Sequence, residues 1–330
     1  MRLEVTRIEG RRNDLLLRIE RDELAEALLS IANRDVLMAL PGMPRHRDAT
    51  EDEAARMAAA KEPLSGHLLR LGIVGADGRA QRRAIVVSNR NLGTNAGHLA
   101  WQRGASPPLF RILEDPLDYG AYSSLTWRRD RRLSIEDLQF EDGSAQVSDR
   151  ATGRDLSGEI EWATFGQRIV RGGRATPLEE IVHQFYDVRH VLAFEHHRAE
   201  GQEIRRAIYR GYPATFRANV LAAWRERGVP RARYVHNAIG LSNEAVIVLQ
   251  REGTIEEIAA ALIAAGAEDG LILDNGGSVA CWVWWANDYA GGIVSPTVDY
   301  RPPGTSAIAF VLKGPVKVDL PGGSVSPSVC

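Results

Sequence analysis

The chain has 330 residues, 44% of them apolar and 25% charged, with a formal net charge of −2. This balance suits a globular protein with a sizeable core, as one large domain or two modest ones, and gives no global field to hold a polyanion, which argues against a nucleic-acid partner. Two cysteines, Cys281 and Cys330, make neither a disulfide framework nor a four-ligand zinc site.

The N-terminal stretch "MRLEVTRIEGRRNDLLLRIERDE" alternates charged and apolar residues and lacks the apolar core of a signal peptide. No stretch approaches the ~18 consecutive apolar residues of a membrane span. A cytoplasmic protein with no membrane partner is therefore expected. "LEVTRIEG" and "DLLLRIE" predict two strands. A helix is expected from Asp22 to Asn33, and another from Thr50, where Thr50 and Glu53 have capping-box spacing. "PLSGHLLRLGIVGADGRAQRRAIVVSN" predicts two strands around a turn at Ala76, Asp77 and Gly78. The basic run Arg128, Arg129, Arg131 and Arg132 is interrupted by Asp130 and reads as solvated surface.

Thr176, Pro177 and Glu179 form a helix start, and Ile181, Phe185, Val188 and Leu192 then recur at the spacing of one buried helical face. His183, His190 and His197 share that helix at intervals of seven. Seven helical residues rise about 10.5 Å, too far for two imidazoles to share an ion, so no metal site is expected. A further helix in "TFRANVLAAWRERG" ends at Gly228. "YVHNAIGL" and "EAVIVLQ" predict strands around a turn at Ser242 and Asn243. Thr254 and Glu257 cap a helix running through Ala265, Gly266 ends it, and "GLIL" begins a strand that finishes at Asp274. Strand, helix, strand with tight connections is the pattern of a crossover unit. The fold expected is therefore α+β: an α/β mixed sheet with packed helices, the 255–265 helix lying on one face of a mixed sheet built from residues 230–314.

The strand ends in "DNGGS". A carboxylate at a strand end beside two glycines sits where a ligand can approach the backbone, and Gly276, Gly277 and Ser278 can supply N–H and hydroxyl groups there. The same residue types also suit any tight turn, so turn and site both remain open. Cys281 reads as a small core residue. Of the tryptophans that follow, Trp282 and Trp284 share one strand face and Trp285 takes the other, leaving core packing and ligand stacking as alternatives.

The order of these motifs resembles the phosphodiester glycosidase family, best over residues 230–314. Leu273, Asp274, Gly276, Gly277 and Ser278 match the family's Leu-Asp-Gly-Gly-Gly-Ser stretch, with Asn275 in place of its first glycine. Ala238, Ile239 and Gly240 match its Ala-Ile-Gly, with His236 and Asn237 where it has arginine and threonine, and Arg301 falls where it has an arginine before the last strand. "NRNLGTNAGHL" is a weaker match to its Asn-Gly segment. The resemblance implies residues 81–330 as a phosphodiester glycosidase-like domain, with residues 1–80 an N-terminal α+β region that is integral to it or precedes it. It also implies a hydrolase acting on a glycosyl phosphodiester or related small metabolite, in cytoplasmic biosynthesis or tailoring.

Cleaving such a bond passes through an oxocarbenium-like state, which a carboxylate stabilises. Asp274 is then the central catalytic residue, with His236 as acid or base or as a phosphate contact. Its alternative is a structural histidine on a half-buried strand. Asn237, Asn275, Gly276, Gly277, Ser278, Arg301 and Trp282 would bind the substrate. No cofactor is implied, the partner is a small molecule such as a sugar phosphate, and homo-oligomerisation is left open. The competing reading is a non-catalytic binding or structural module that keeps the fold.

Overall fold

The computed structural model describes residues 2–6, 14–31, 55, 64–89, 98–106, 108–112, 122–140, 146–177, 180, 233–275, 279, 281–284, 292–293 and 306–313. Among them strands dominate, in three sheets. The first contains β1 (Arg2–Thr6) and β2 (Asp14–Glu20). The second takes β3 (Leu24–Ile31) and, after helix α1 (Leu64–Arg70), β4 (Ala84–Ser88). The third is built from β5 (His98–Gln102), β6 (Leu109–Ile112), β7 (Tyr122–Arg128), β8 (Leu133–Phe140), β9 (Val147–Asp149) and β10 (Ile160–Phe165). The chain returns to the first sheet through β11 (Gln167–Arg171), β12 (Arg174–Ala175), β13 (Tyr234–Leu241), β14 (Ala245–Gly253), helix α2 (Ile255–Ala264) and β15 (Asp269–Asn275). The last described strands, β16 (Cys281–Trp284), β17 (Gly292–Ile293) and β18 (Ser306–Leu312), lie in the second sheet.

The strand orders are β1-β2-β14-β13-β15-β11-β12, β17-β16-β4-β18-β3 and β6-β5-β10-β7-β8-β9. Period-two alternation gives each sheet an inner face. Leu15, Leu17, Ile19, Val246, Val248, Ile239 and Leu271 of the first sheet meet Ile85, Val87, Ile308 and Phe310 of the second and Leu125, Trp127 and Trp162 of the third in one shared core. The outer face of the first sheet is covered by α2 through Ile258, Ala259 and Leu262, and that of the second by α1 through Leu68.

This architecture corrects the expected helix-packed α+β fold. Among the described residues the protein is mostly β, every pairing between adjacent strands is antiparallel, and two helices have described bounds. The crossover through α2 does exist. β14 and β15 are not neighbours, however: β13 lies between them, antiparallel to both, so the sheet is not mixed. The helix expected over Asp22–Asn33 is instead strand β3. Its Ala- and Leu-rich sequence is compatible with a helix, but seven pairings to β18 override that propensity. "LSGHLLR", expected as a strand, is α1; the turn after it is present, with Gly78 at φ +76° and Gly78 N–H donating to Gly75 O. Of the helices expected from Thr50, Thr176 and Thr215, the described residues 55 and 180 are helical and Glu180 N–H donates to Pro177 O; the remainder, with His183, His190 and His197, lies outside the described residues. Arg128 is buried rather than solvated, held by Glu136 at 2.5 Å and by Glu159 at 2.7 Å.

Local expectations over residues 234–275 match the structure. Thr254 and Glu257 form a reciprocal capping box, and Gly266 leaves the helix at φ +92°. Gly240 and Gly270 face each other across β13 and β15 under α2. A Cβ at Gly240 would lie 2.7 Å from the Ala267 Cβ, a short side chain that cannot rotate away, whereas one at Gly270 meets a terminal methyl of Leu262 at 2.7 Å, which can turn aside, and Val170 only at 3.2 Å. Gly240→Ala is therefore expected to cost about 1–3 kcal/mol in urea denaturation, and Gly270→Ala less. Equal midpoints for the two variants would contradict this account of why α2 sits so close.

Candidate functional site

A seam of buried uncharged polar residues and one carboxylate lies where the three sheets meet. Its base is a single cross-strand row on the inner face of the first sheet: Gln250 on β14, Asn237 on β13 and Asp274 on β15. Their exposures are 0%, 0% and 4%, unusual for these residue types.

Asp274 reaches this row because the strand is irregular. Ile272 lies on the outer face under α2, and strict alternation would put Asp274 there too. Pairing shifts between Ala238↔Ile272 and Asn237↔Asp274, leaving Leu273 as an extra residue. This β-bulge keeps Leu273 in the shared core and turns Asp274 inward beside Asn237.

The second sheet contributes the end of β4. Ser88 Oγ donates to Asp274 Oδ2 at 2.9 Å, and Asn237 Nδ2 donates to the Ser88 carbonyl at 2.7 Å. Gln250 Nε2 donates to Asn237 Oδ1 at 3.4 Å. Asn89 links the other strands: its backbone N–H donates to Ser306 O at 3.1 Å, its backbone carbonyl accepts from Ser306 Oγ, and its Nδ2 donates to Thr164 Oγ1 of β10 at 2.9 Å. All of these side chains are buried.

Of the residues singled out in the sequence, the structure brings Asp274 and Asn237 together. It does not bring His236 to them. His236 alternates onto the outer face with Ala238, where Nε2 meets Gly253 O at 3.2 Å and the ring packs edge-on against Tyr234. Burial pushes its pKa down to about 4, against a smaller opposing effect of the Gly253 carbonyl. Asn275 pairs with His236 in the ladder, and Trp282 lies on β16 opposite Val86. Gly276, Gly277, Ser278 and Arg301 lie outside the described residues. Cys281 is buried in the shared core, as its apolar neighbours suggest. No group of acidic, histidine and cysteine residues suited to a metal occurs among the described residues.

The sequence reading missed Ser88, Asn89, Thr164, Gln250 and Ser306. A signal existed for two of the strands: "AIVVSN" and "AVIVLQ" each end an apolar run on polar residues, as does "GLILDN". Nothing in the chain order says that these three ends meet.

His236 carries a pH prediction. It is neutral when folded, while the unfolded chain takes up a proton below about pH 6.5, so stability falls as pH drops from 6.5 towards 4 and this loss saturates below 4. The contribution is about 3 kcal/mol, read from urea midpoints across that window. His236→Gln, which keeps a donor for Gly253 O, should flatten it; an unchanged slope would sink the assignment.

No family model matches the chain, and no curated protein matches it. Among solved structures, the zebrafish N-acetylglucosamine-1-phosphodiester alpha-N-acetylglucosaminidase catalytic domain, auto-inhibited by its pro-peptide, aligns with a TM-score of 0.45 and 13% identity, covering 94% of this chain and 81% of that one. A hypothetical protein from Synechocystis aligns at 0.30 and 13%, covering 94% and 61%. These are weak, fold-level likenesses. No helix among the described residues is long and apolar enough to cross a membrane.

Proposed function

We propose that the chain is a hydrolase that cleaves a glycosyl phosphodiester or a related small metabolite, with Asp274 as its central carboxylate. The observation that supports this is the bulge at Leu273, which takes Asp274 out of the alternation of its strand and sets it beside Asn237 and Ser88. Bulges that re-aim one side chain occur next to active sites. An aspartate kept only for a turn would not need to be aimed at another sheet.

When the bond between the anomeric carbon and the phosphate oxygen breaks, positive charge develops at carbon and the phosphate ester leaves as a stabilised anion. The step then depends more on charge stabilisation than on protonation of the leaving oxygen. Asp274 faces the anomeric carbon in this reading, and water completes the hydrolysis. The Ser88 hydroxyl donates to the carboxylate and helps aim it, while the Asn237 amide holds the Ser88 carbonyl. Following the resemblance, Arg301 and the Gly276–Gly277 backbone donate to the phosphate.

The test is release of free sugar from a panel of glycosyl phosphodiesters, followed by mass spectrometry. No turnover of any member would overturn the proposal. The placement of His236 on the outer face favours a second reading, in which the seam binds such a compound without cleaving it. Retention of an intact sugar phosphate without turnover would decide for that alternative.

A further inference from the structure

The row that holds Asp274 contains an acceptor whose identity is fixed by the chain of hydrogen bonds around it. The Ser88 carbonyl can only accept, so the Asn237 atom facing it at 2.7 Å is the amide nitrogen. Asn237 Oδ1 is then the atom that faces Gln250, and the Gln250 atom contacting it must be Nε2. Gln250 Oε1 is left as an acceptor on a residue that is 0% exposed, and among the described residues it receives no hydrogen bond. Asn89 offers a second such atom: with Nδ2 donating to the Thr164 hydroxyl, its buried Oδ1 receives no hydrogen bond among the described residues. Buried acceptors are nearly always satisfied, and the residue paired with Gln250 on β2, Leu15, carries no side-chain donor. Beside the Asp274 carboxylate the seam thus presents two unpaired acceptors to a ligand rich in donors.

We infer that Gln250 determines specificity: its side-chain carbonyl accepts a hydrogen bond from a hydroxyl of the sugar bound beside Asp274, with Asn89 Oδ1 as a second hydroxyl acceptor. The inference rests on the glycosidase reading for the kind of ligand. A site built to pair a hydroxyl discriminates strongly against the analogue that lacks it, because the protein group is then left unpaired.

Calorimetric titration of the full chain tests this with glucose, galactose, mannose and N-acetylglucosamine 1-phosphates, then with single-position deoxy analogues of the tightest binder. One deoxy analogue should bind about tenfold or more weakly. In Gln250→Met, which keeps the length and apolar packing of the side chain but has no carbonyl, the parent and that analogue should bind equally, and affinity for inorganic phosphate should be unchanged.

Absence of binding by all four sugar phosphates overturns the inference, as does a discrimination that persists in Gln250→Met. Stabilisation of the wild-type chain by calcium ions alone, lost in Gln250→Met, would assign the acceptors to a cation and likewise overturn it. If the methionine variant does not fold, the deoxy series on the wild-type chain still decides, since equal affinity for every analogue is fatal. Turnover is a separate readout: a chain that discriminates the deoxy sugars but cleaves nothing removes the hydrolase reading and leaves this one standing.

Discussion

Replacing Asp274 by asparagine is expected to lower turnover by about 10²-fold or more while leaving the melting temperature nearly unchanged. The substitution keeps size and shape, and the new side-chain oxygen can still accept from Ser88 Oγ, which now lies 2.9 Å from Oδ2. What is removed is charge, in a position 4% exposed where charge is felt strongly. If Asp274 serves only to hold the sheets together, the result reverses. Activity per folded molecule would survive, and weakening the charge-assisted hydrogen bond from Ser88 would lower stability by about 1–3 kcal/mol. Ser88→Ala separates orientation from charge: it leaves the carboxylate in place without the Ser88 hydroxyl and should reduce turnover less than Asp274→Asn. Activity assay and thermal melt on each purified variant read both quantities.

The largest expected loss of stability comes from Trp162. The ring is 4% exposed in the core shared by all three sheets, and its Nε1 donates to Ala27 O at 2.8 Å. Ala27 belongs to β3, the edge strand of the second sheet, so one side chain of the third sheet both fills the core and satisfies an edge carbonyl of the second. Trp162→Ala should cost about 3–5 kcal/mol, combining lost burial with a cavity. Trp162→Phe keeps most of the ring and loses the donor, leaving Ala27 O unsatisfied at about 1–3 kcal/mol. Chemical denaturation of both variants would show this order. If the phenylalanine variant were as unstable as the alanine one, the hydrogen bond rather than the ring would dominate.

Gly240 shows how a motif can be right for a reason the sequence does not display. It is part of the Ala-Ile-Gly match, where a glycine in a strand suggests close approach of something to the backbone. What approaches is the protein itself: Ala267, at the return from α2, leaves no space for a Cβ. His236 stands two residues before the same motif, and titration near neutrality made it a candidate acid or base. Its depressed pKa and its place beside Tyr234 and Gly253 follow from the face of β13 on which it falls.

The sequence by itself determined the local units: the hairpin of β13 and β14, the capping box and terminal glycine of α2, and the strand that carries Asp274 next to its end. Each is set within a few residues by alternation, capping or turn chemistry, and needs no distant partner. The tertiary structure alone decided the rest. Residues 24–31 became a strand through pairing with β18, nearly three hundred residues away. The sheet stayed antiparallel because β13 came between the two strands joined by α2. Asp274 faces the seam only because Leu273 is bulged out of register against Asn237 and Ala238, and a shift of one residue in a period of two exchanges the faces of a strand. No local pattern records that shift. It is fixed by Ser88, which arrives from another sheet and bonds both Asp274 and Asn237.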